Sequence, residues 1–428
     1  MSPPRSTAKA LADFIGSARM AQALSLAIIG TGFGTHLIRS LLGWPGLIAI
    51  IAGLLVLSAL SLVARWRAVE WYGILPISIL VFVGWAAASV IWSDHSLSTL
   101  VRVGYLFAFG FLGVYIALMR DTIQIVRAFG DVMRLLLGLS LALEVFSGIL
   151  IDLPIDFLGI EGNIAALGPI QGVFGSRNFL GFVALIALIS FMIEWRTRSV
   201  QRGRTVLSTV LAAAAIILSG SPTTWIAFAA AGLATAALYG LRKAAPATRW
   251  SWQLGILAAA VVAIVAGWLL RVRIIGLLDA RGEFDVRLDL WREMNRYLAQ
   301  NPLEGWGWVG FWPKATDPYV WLQLGTGRQH GSGLSAWVDV YFQLGIIGLL
   351  AFIALVGLAF ARSWLLASVR RSVVYVWPAL MLVVLIVWSF AESFAIVEGG
   401  WMLLVVCAVK AARDMSWRDA LREGRPAG

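Results

Sequence analysis

A few kinds of side chain in this sequence suit chemistry on a charged, hydroxylated substrate, and they crowd into short stretches. His330 stands in Thr326-Gly-Arg-Gln-His-Gly-Ser-Gly333, just before a long apolar run. An imidazole of ordinary pKa, ~6.5, can accept a proton from a hydroxyl at neutral pH. Arg328, Arg287 and Arg177 carry planar guanidinium groups, which hold phosphate oxygens through paired hydrogen bonds or pair with carboxylates. Glu392 and Glu398 bracket a short break near the end of the chain, and carboxylates at a membrane edge need solvent or a cation. Trp306 and Trp308 fall in Gly305-Trp-Gly-Trp-Val-Gly310-Phe-Trp, too rich in glycine for a helix and too aromatic for a plain loop. Each type has a plainer role as well. A lone histidine is often structural, an arginine an ion-pair partner, and a tryptophan part of a membrane–water belt.

Metal chemistry has no foothold in this pattern. The histidines, His36, His95 and His330, are scattered, Cys407 is the single cysteine, and no Asp-x-Asp occurs. Neither a metal nor another cofactor is expected. Cys407 lies inside the last apolar run, where a thiol packs as a small hydrophobe.

The rest of the chain has to position these groups, and its composition indicates how. Of 428 residues, 60% are hydrophobic and 13% charged. Apolar runs near the ~20 residues that cross a ~30 Å hydrocarbon layer recur along most of the length. The expected fold is an all-α polytopic membrane protein of about 12 transmembrane helices. The spans read as 21–42, 46–64, 73–92, 101–119, 133–151, 179–195, 206–220, 223–241, 254–271, 334–360, 373–391 and 395–412. The first 20 residues are polar and basic, and the first apolar run lacks a small-residue exit, so no cleavable signal peptide is expected. Most of the 34 Lys and Arg residues fall at the termini and in alternate loops, Arg196, Arg198, Arg202 and Arg204 together in one of them. The positive-inside rule then puts both termini in the cytoplasm and the long polar interval outside. The net charge of +11 reflects this topology and gives no reason to expect a nucleic-acid partner. One integral membrane domain, 1–428, is expected, with an extracytoplasmic loop at 272–333 and a solvated cytoplasmic tail at 413–428.

The interval 271–333, which contains that loop, carries eight Lys and Arg residues and its own pattern. Leu290, Trp291, Met294, Tyr297 and Leu298 recur at helical spacing over 285–299, with Arg287 one turn before Trp291 on the same flank. The spacing predicts an amphipathic helix lying on the bilayer or over the bundle. Asn301-Pro302 ends it. Arg177 and Asn178 mark the entrance to the sixth span, and Ser219-Gly-Ser-Pro-Thr-Thr224 makes a tight polar turn before the eighth. Glu144 lies inside the fifth span, where an ionisable group needs a partner or a cavity, for function or for packing.

Together these motifs resemble the O-antigen ligase/polymerase superfamily of bacterial membrane glycosyltransferases. The resemblance rests on Gly172-Val-Phe-Gly-Ser-Arg-Asn-Phe-Leu-Gly181, Leu218-Ser-Gly-Ser-Pro-Thr-Thr-Trp225, Arg287-Leu-Asp-Leu-Trp291, Asn301-Pro-Leu-Glu-Gly-Trp-Gly307, and His330 leading into Tyr341-Phe-Gln-Leu-Gly-Ile-Ile-Gly-Leu-Leu350. It implies a glycan on undecaprenyl pyrophosphate at the outer leaflet of the bacterial cytoplasmic membrane. It also implies metal-independent transfer to a hydroxyl of a glycan, lipid or protein acceptor, by a ligase or a polymerase. His330 then corresponds to the acceptor-activating residue and Arg287 to a pyrophosphate contact. The family often has Ser-Arg where this chain has Ser221-Pro222, and Arg177 or Arg328 is the replacement on offer. Trp306, Trp308, Glu392 and Glu398 remain as glycan or acceptor contacts. Such a donor is already activated, so orientation, proton acceptance and charge stabilisation suffice. A transporter or flippase of lipid-linked oligosaccharide is the alternative. It would place charge near the midplane in repeated halves, whereas here the polar groups gather on one face.

Overall fold

The computed structural model describes residues 13–67, 76–277 and 281–415, which are overwhelmingly helical, with one isolated β-bridge between Ile155 and Ile160. Residues 73–75 of the third expected span, 278–280 of the polar interval and 416–428 of the expected tail lie outside the described residues. The helices are α1 Ala18–Phe33, α2 Thr35–Ala64, α3 Ile77–Ala88, α4 Ser96–Met119 and α5 Thr122–Val145. After a loop of short turns come α6 Arg177–Thr197, α7 Arg202–Ser219, α8 Pro222–Lys243 and α9 Arg249–Leu269. The polar interval holds α10 Arg271–Leu277, α11 Arg281–Leu298 and α12 Tyr319–Thr326. The chain continues with α13 Ala336–Val369, α14 Val376–Trp388 and α15 Glu398–Asp414. Among the described residues, α2, α4, α5 with its extension to Ile151, α6, α7, α8, α9 and α13 are long and apolar enough to cross a membrane, and the apolar helices Ile77–Ala88 and Val373–Trp388 are shorter.

Apolar composition alone does not say which helix is central, because lipid and protein interior accept the same side chains. Burial separates them. Every residue of α15 from Glu398 to Ala411 is buried, as is most of α6. At the other extreme, α9 has no buried residue and touches the bundle lightly, with Gln253 donating to Ser368 Oγ at 3.3 Å. Two indoles inside the bundle find acceptors for their N–H groups: Trp377 donates to Ser190 Oγ at 2.9 Å and Trp401 to the Leu106 carbonyl at 3.0 Å. The buried Glu194 carboxylate pairs with Arg134, which also reaches Asp131 at 3.1 Å.

One long apolar run turns out not to be a continuous helix. Gly345 breaks α13 with φ +64° and ψ −168°, a conformation open essentially to glycine alone. The break frees backbone groups that no lipid could satisfy. Residues 302–307 take them up. Ile346 N–H donates to Pro302 O at 3.0 Å and Ile347 N–H to Leu303 O at 3.3 Å, while Phe342 O accepts from Trp306 N–H at 3.2 Å and Gln343 O from Gly307 N–H at 2.8 Å. A methyl group on Gly345 would lie 2.1 Å from Leu303 O, and one on Gly305 2.5 Å from Gly345 N. Gly305 and Gly345 thus let two backbones meet.

Candidate functional site

At one end of the bundle the starts of α6, α8 and α13 meet the turn that follows α14. Ala336 N–H donates to Ser389 O at 2.8 Å, and Ser335 Oγ to the same carbonyl at 2.9 Å. Across this junction runs a chain of side chains. Arg287, on α11, donates from Nη2 to Ala391 O at 3.1 Å and lies 3.6 Å from Glu392 Oε1, both side chains nearly buried. Glu392 Oε1 accepts from Asn178 Nδ2 at 2.6 Å, and Asn178 Oδ1 accepts from Ser221 Oγ at 2.8 Å. Ser221 is also the N-cap of α8, accepting from Thr224 N–H at 3.3 Å, with Pro222 in the first turn where its missing N–H costs nothing. The Ser221-Pro222 pair therefore builds a helix start, and the cation at this junction comes from α11.

The same helix holds the histidine segment. Leu290, Met294 and Leu298 are buried against Trp312, Tyr319, Leu322 and Phe342, leaving Arg292 and Arg296 exposed. Trp291, one turn after Arg287, donates to Gly333 O at 2.8 Å. Asp339, fully buried in α13, accepts from Gly333 N–H at 3.1 Å, from Trp312 Nε1 at 2.8 Å and from Gln343 Nε2 at 2.7 Å. Gln343 Oε1 accepts from Val309 and Gly310 N–H, each at 2.8 Å. Trp312 N–H donates to Gly331 O at 2.9 Å, closing the loop around His330. Asp339 and Gln343 carry this scaffold, and sequence reasoning missed them. Their signal was two polar residues four apart in an apolar helix, hence on one face.

His330 itself is buried, and its Nε2 has no hydrogen-bond partner among the described residues. Burial pushes its pKa below the ordinary 6.5, and the positive charge of Arg328 adds to the effect. The neutral imidazole is thus favoured, and one of its ring nitrogens makes no hydrogen bond among the described residues. Arg328 is exposed, and Arg177 is half-buried at the start of α6.

The remaining expected residues divide. Trp306 is half-buried, edge-on to Trp321 at 6.4 Å, and borders the α11 cluster. Trp308 is buried edge-on to Phe82 at 5.9 Å. With Glu398, Arg102 and Tyr105 it lines a separate cavity of about 660 Å³. Glu398 accepts there from Thr35 Oγ1 at 2.6 Å and Tyr105 OH at 3.0 Å. Glu392 and Glu398 therefore engage different partners: Glu392 joins Arg287 and Asn178, and Glu398 joins α2 and α4. No group of three or more His, Cys, Asp or Glu side chains with metal-binding geometry occurs among the described residues.

Arg287, Arg328, His330, Asp339, Gln343 and the Gly-Trp run all lie in one continuous stretch. A search of the curated proteins finds no match. Residues 207–353 match the family model described as O-antigen ligase, which supports the resemblance of this chain to the O-antigen ligase superfamily and points to a bacterial membrane protein.

Proposed function

We propose that the protein is an outer-leaflet glycosyltransferase that moves a glycan from undecaprenyl pyrophosphate to a hydroxyl on a glycan, lipid or protein acceptor. The observation that carries this reading is that α11 ties two segments together. Its Arg287 reaches the Glu392–Asn178 junction and its Trp291 holds the loop of a buried His330, inside the stretch that matches the family model. In the reaction the acceptor oxygen bonds to the anomeric carbon as the bond from that carbon to the pyrophosphate oxygen breaks. His330 Nε2 takes the acceptor proton, and Arg287 stabilises the leaving pyrophosphate, with Arg177 and Arg328 adding positive charge. Glu392 and Asn178 position Arg287. Trp306 borders this centre, while Trp308 and Glu398 would meet the glycan or acceptor from the separate cavity. Cations do the work of charge neutralisation, so no metal is required.

In the membrane we assign about 12 crossings to the chain. Both termini lie in the cytoplasm and 272–333 lies outside the bacterial inner membrane. The test is His330→Ala. Protein level and membrane insertion are expected to be unchanged, and transfer to fall at least ~100-fold, the lower end of what a positioned base contributes. Full activity in this variant removes His330 from the mechanism. Deleting the gene separates the remaining possibilities: lipid-linked repeat units accumulate for a polymerase, lipid-linked polymer for a ligase, and cytoplasmic-face intermediates for a flippase.

A further inference from the structure

Glu144 has no part in the transfer centre, yet it is 1% exposed in an apolar helix. Its Oε1 accepts from Gln171 N–H at 3.1 Å and Gly172 N–H at 2.9 Å. Its Oε2 is shut off from water and has no hydrogen-bond partner among the described residues. A buried carboxylate oxygen without a donor is costly and calls for a reason. It forms part of the wall of a cavity of about 260 Å³ whose other lining residues are Glu161, Asn163, Pro169, Gln171 and Arg177. Five of these six residues are polar, in a chain that is otherwise mostly apolar.

The cavity is firmly built. α5 ends in a π-turn, Phe146–Ile151, a form often found at functional sites. Gly148 then meets Gly162 so closely that a methyl group on Gly148 would lie 2.1 Å from Gly162 O. Ile170 N–H donates to Leu218 O at 2.9 Å, tying the far side of the loop to the end of α7. Asn163 Nδ2 donates to Glu161 Oε2 at 2.8 Å on the rim. The wall residue Arg177 is followed directly by Asn178, which hydrogen-bonds to Glu392, the carboxylate beside Arg287.

We infer that this cavity is a subsite for one sugar unit of the glycan, gripped through its hydroxyl groups. Hydroxyls donate to carboxylates and accept from amides and guanidinium groups, and the wall offers all three. A sugar in the cavity would present its hydroxyls to a wall that already holds the Glu144 carboxylate, the Glu161–Asn163 pair and Arg177. A divalent cation fits the wall less well, because Arg177 brings positive charge to a site with only two carboxylates. The inference rests on the transferase reading for its ligand, and the donor repeat unit and the acceptor glycan are its two sources.

The test uses the purified full chain in detergent and three probes: undecaprenyl pyrophosphate alone, the free repeat-unit oligosaccharide, and the free acceptor oligosaccharide. Glu144→Gln, Glu161→Ala and Asn163→Ala are each expected to weaken binding of one of the two oligosaccharides, the carboxylate variants about tenfold and Asn163→Ala about fivefold, the loss of one hydrogen bond each. The oligosaccharide that is weakened identifies the source, and binding of undecaprenyl pyrophosphate stays unchanged. Arg287→Ala is expected to do the reverse. Unaltered oligosaccharide binding in the rim variants Glu161→Ala and Asn163→Ala overturns the subsite, as do wild-type protein that binds neither oligosaccharide and calcium that competes for the pocket. If oligosaccharide binds through these residues but undecaprenyl pyrophosphate does not bind at all, the subsite stands and the transferase reading falls.

Discussion

His330 owes its character to where it is held. Removal from water and the charge of Arg328 both disfavour the imidazolium, so the group stays neutral to a pH below its ordinary 6.5. A base of this kind works when unprotonated. Activity is therefore expected to hold as the pH falls towards 6.5 and to drop only below it. Arg328→Gln removes a nearby positive charge, so the acid limb of the pH–rate profile should move up towards 6.5; a limb that does not move separates Arg328 from His330. Arg287 and Arg296 make a second comparison on one helix. Arg296 is 74% exposed and pairs with Glu293 across one turn at the surface, an interaction worth at most ~1 kcal/mol. Arg287 is 11% exposed and hydrogen-bonded into the junction. Arg287→Ala is expected to lower kcat/KM at least ~100-fold, about 2.7 kcal/mol, and Arg296→Ala less than ~3-fold. Equal, small effects would assign Arg287 to packing.

Among the elements, α13 shows what sequence can and cannot reveal. Its apolar length was legible, as were the helical spacing in α11 and the turn at Ser221-Pro222, because periodicity and helix-start residues are local properties. The interruption at Gly345 was not. An apolar run reads the same whether its backbone is straight or broken, since the partner of the freed groups lies some 40 residues earlier, at 302–307. Partner choice was hidden for the same reason. Glu392 and Glu398 look alike in sequence, yet one meets α11 and α6 and the other α2 and α4. Gly345→Ala tests the break directly. It places a methyl group against Leu303 O in a backbone region where strain alone costs ~1–3 kcal/mol. A loss of at least that size in thermal stability is expected, together with loosening of the Gly-Trp run, visible as faster proteolysis within the polar interval. A variant as stable as the parent would mean that the two backbones can part.

At the scale of the molecule, the central pair α6 and α15 and the peripheral α9 describe a bundle in which the candidate groups lie in or beside the segments that connect the long apolar helices. Cys407 is buried, so a cysteine introduced elsewhere can be labelled without background. Gln329→Cys, at an exposed position beside His330, is expected to react in intact spheroplasts with a reagent that cannot cross the membrane. Protection there, with reaction only after lysis, reverses the assigned topology. The junction of 302–307 with 342–347 also bears on how the chain is made. Synthesis runs from the N-terminus, so the loop is finished before the helix it completes has left the ribosome. The final state of α13 therefore includes docking of its open rung on that earlier segment as well as insertion.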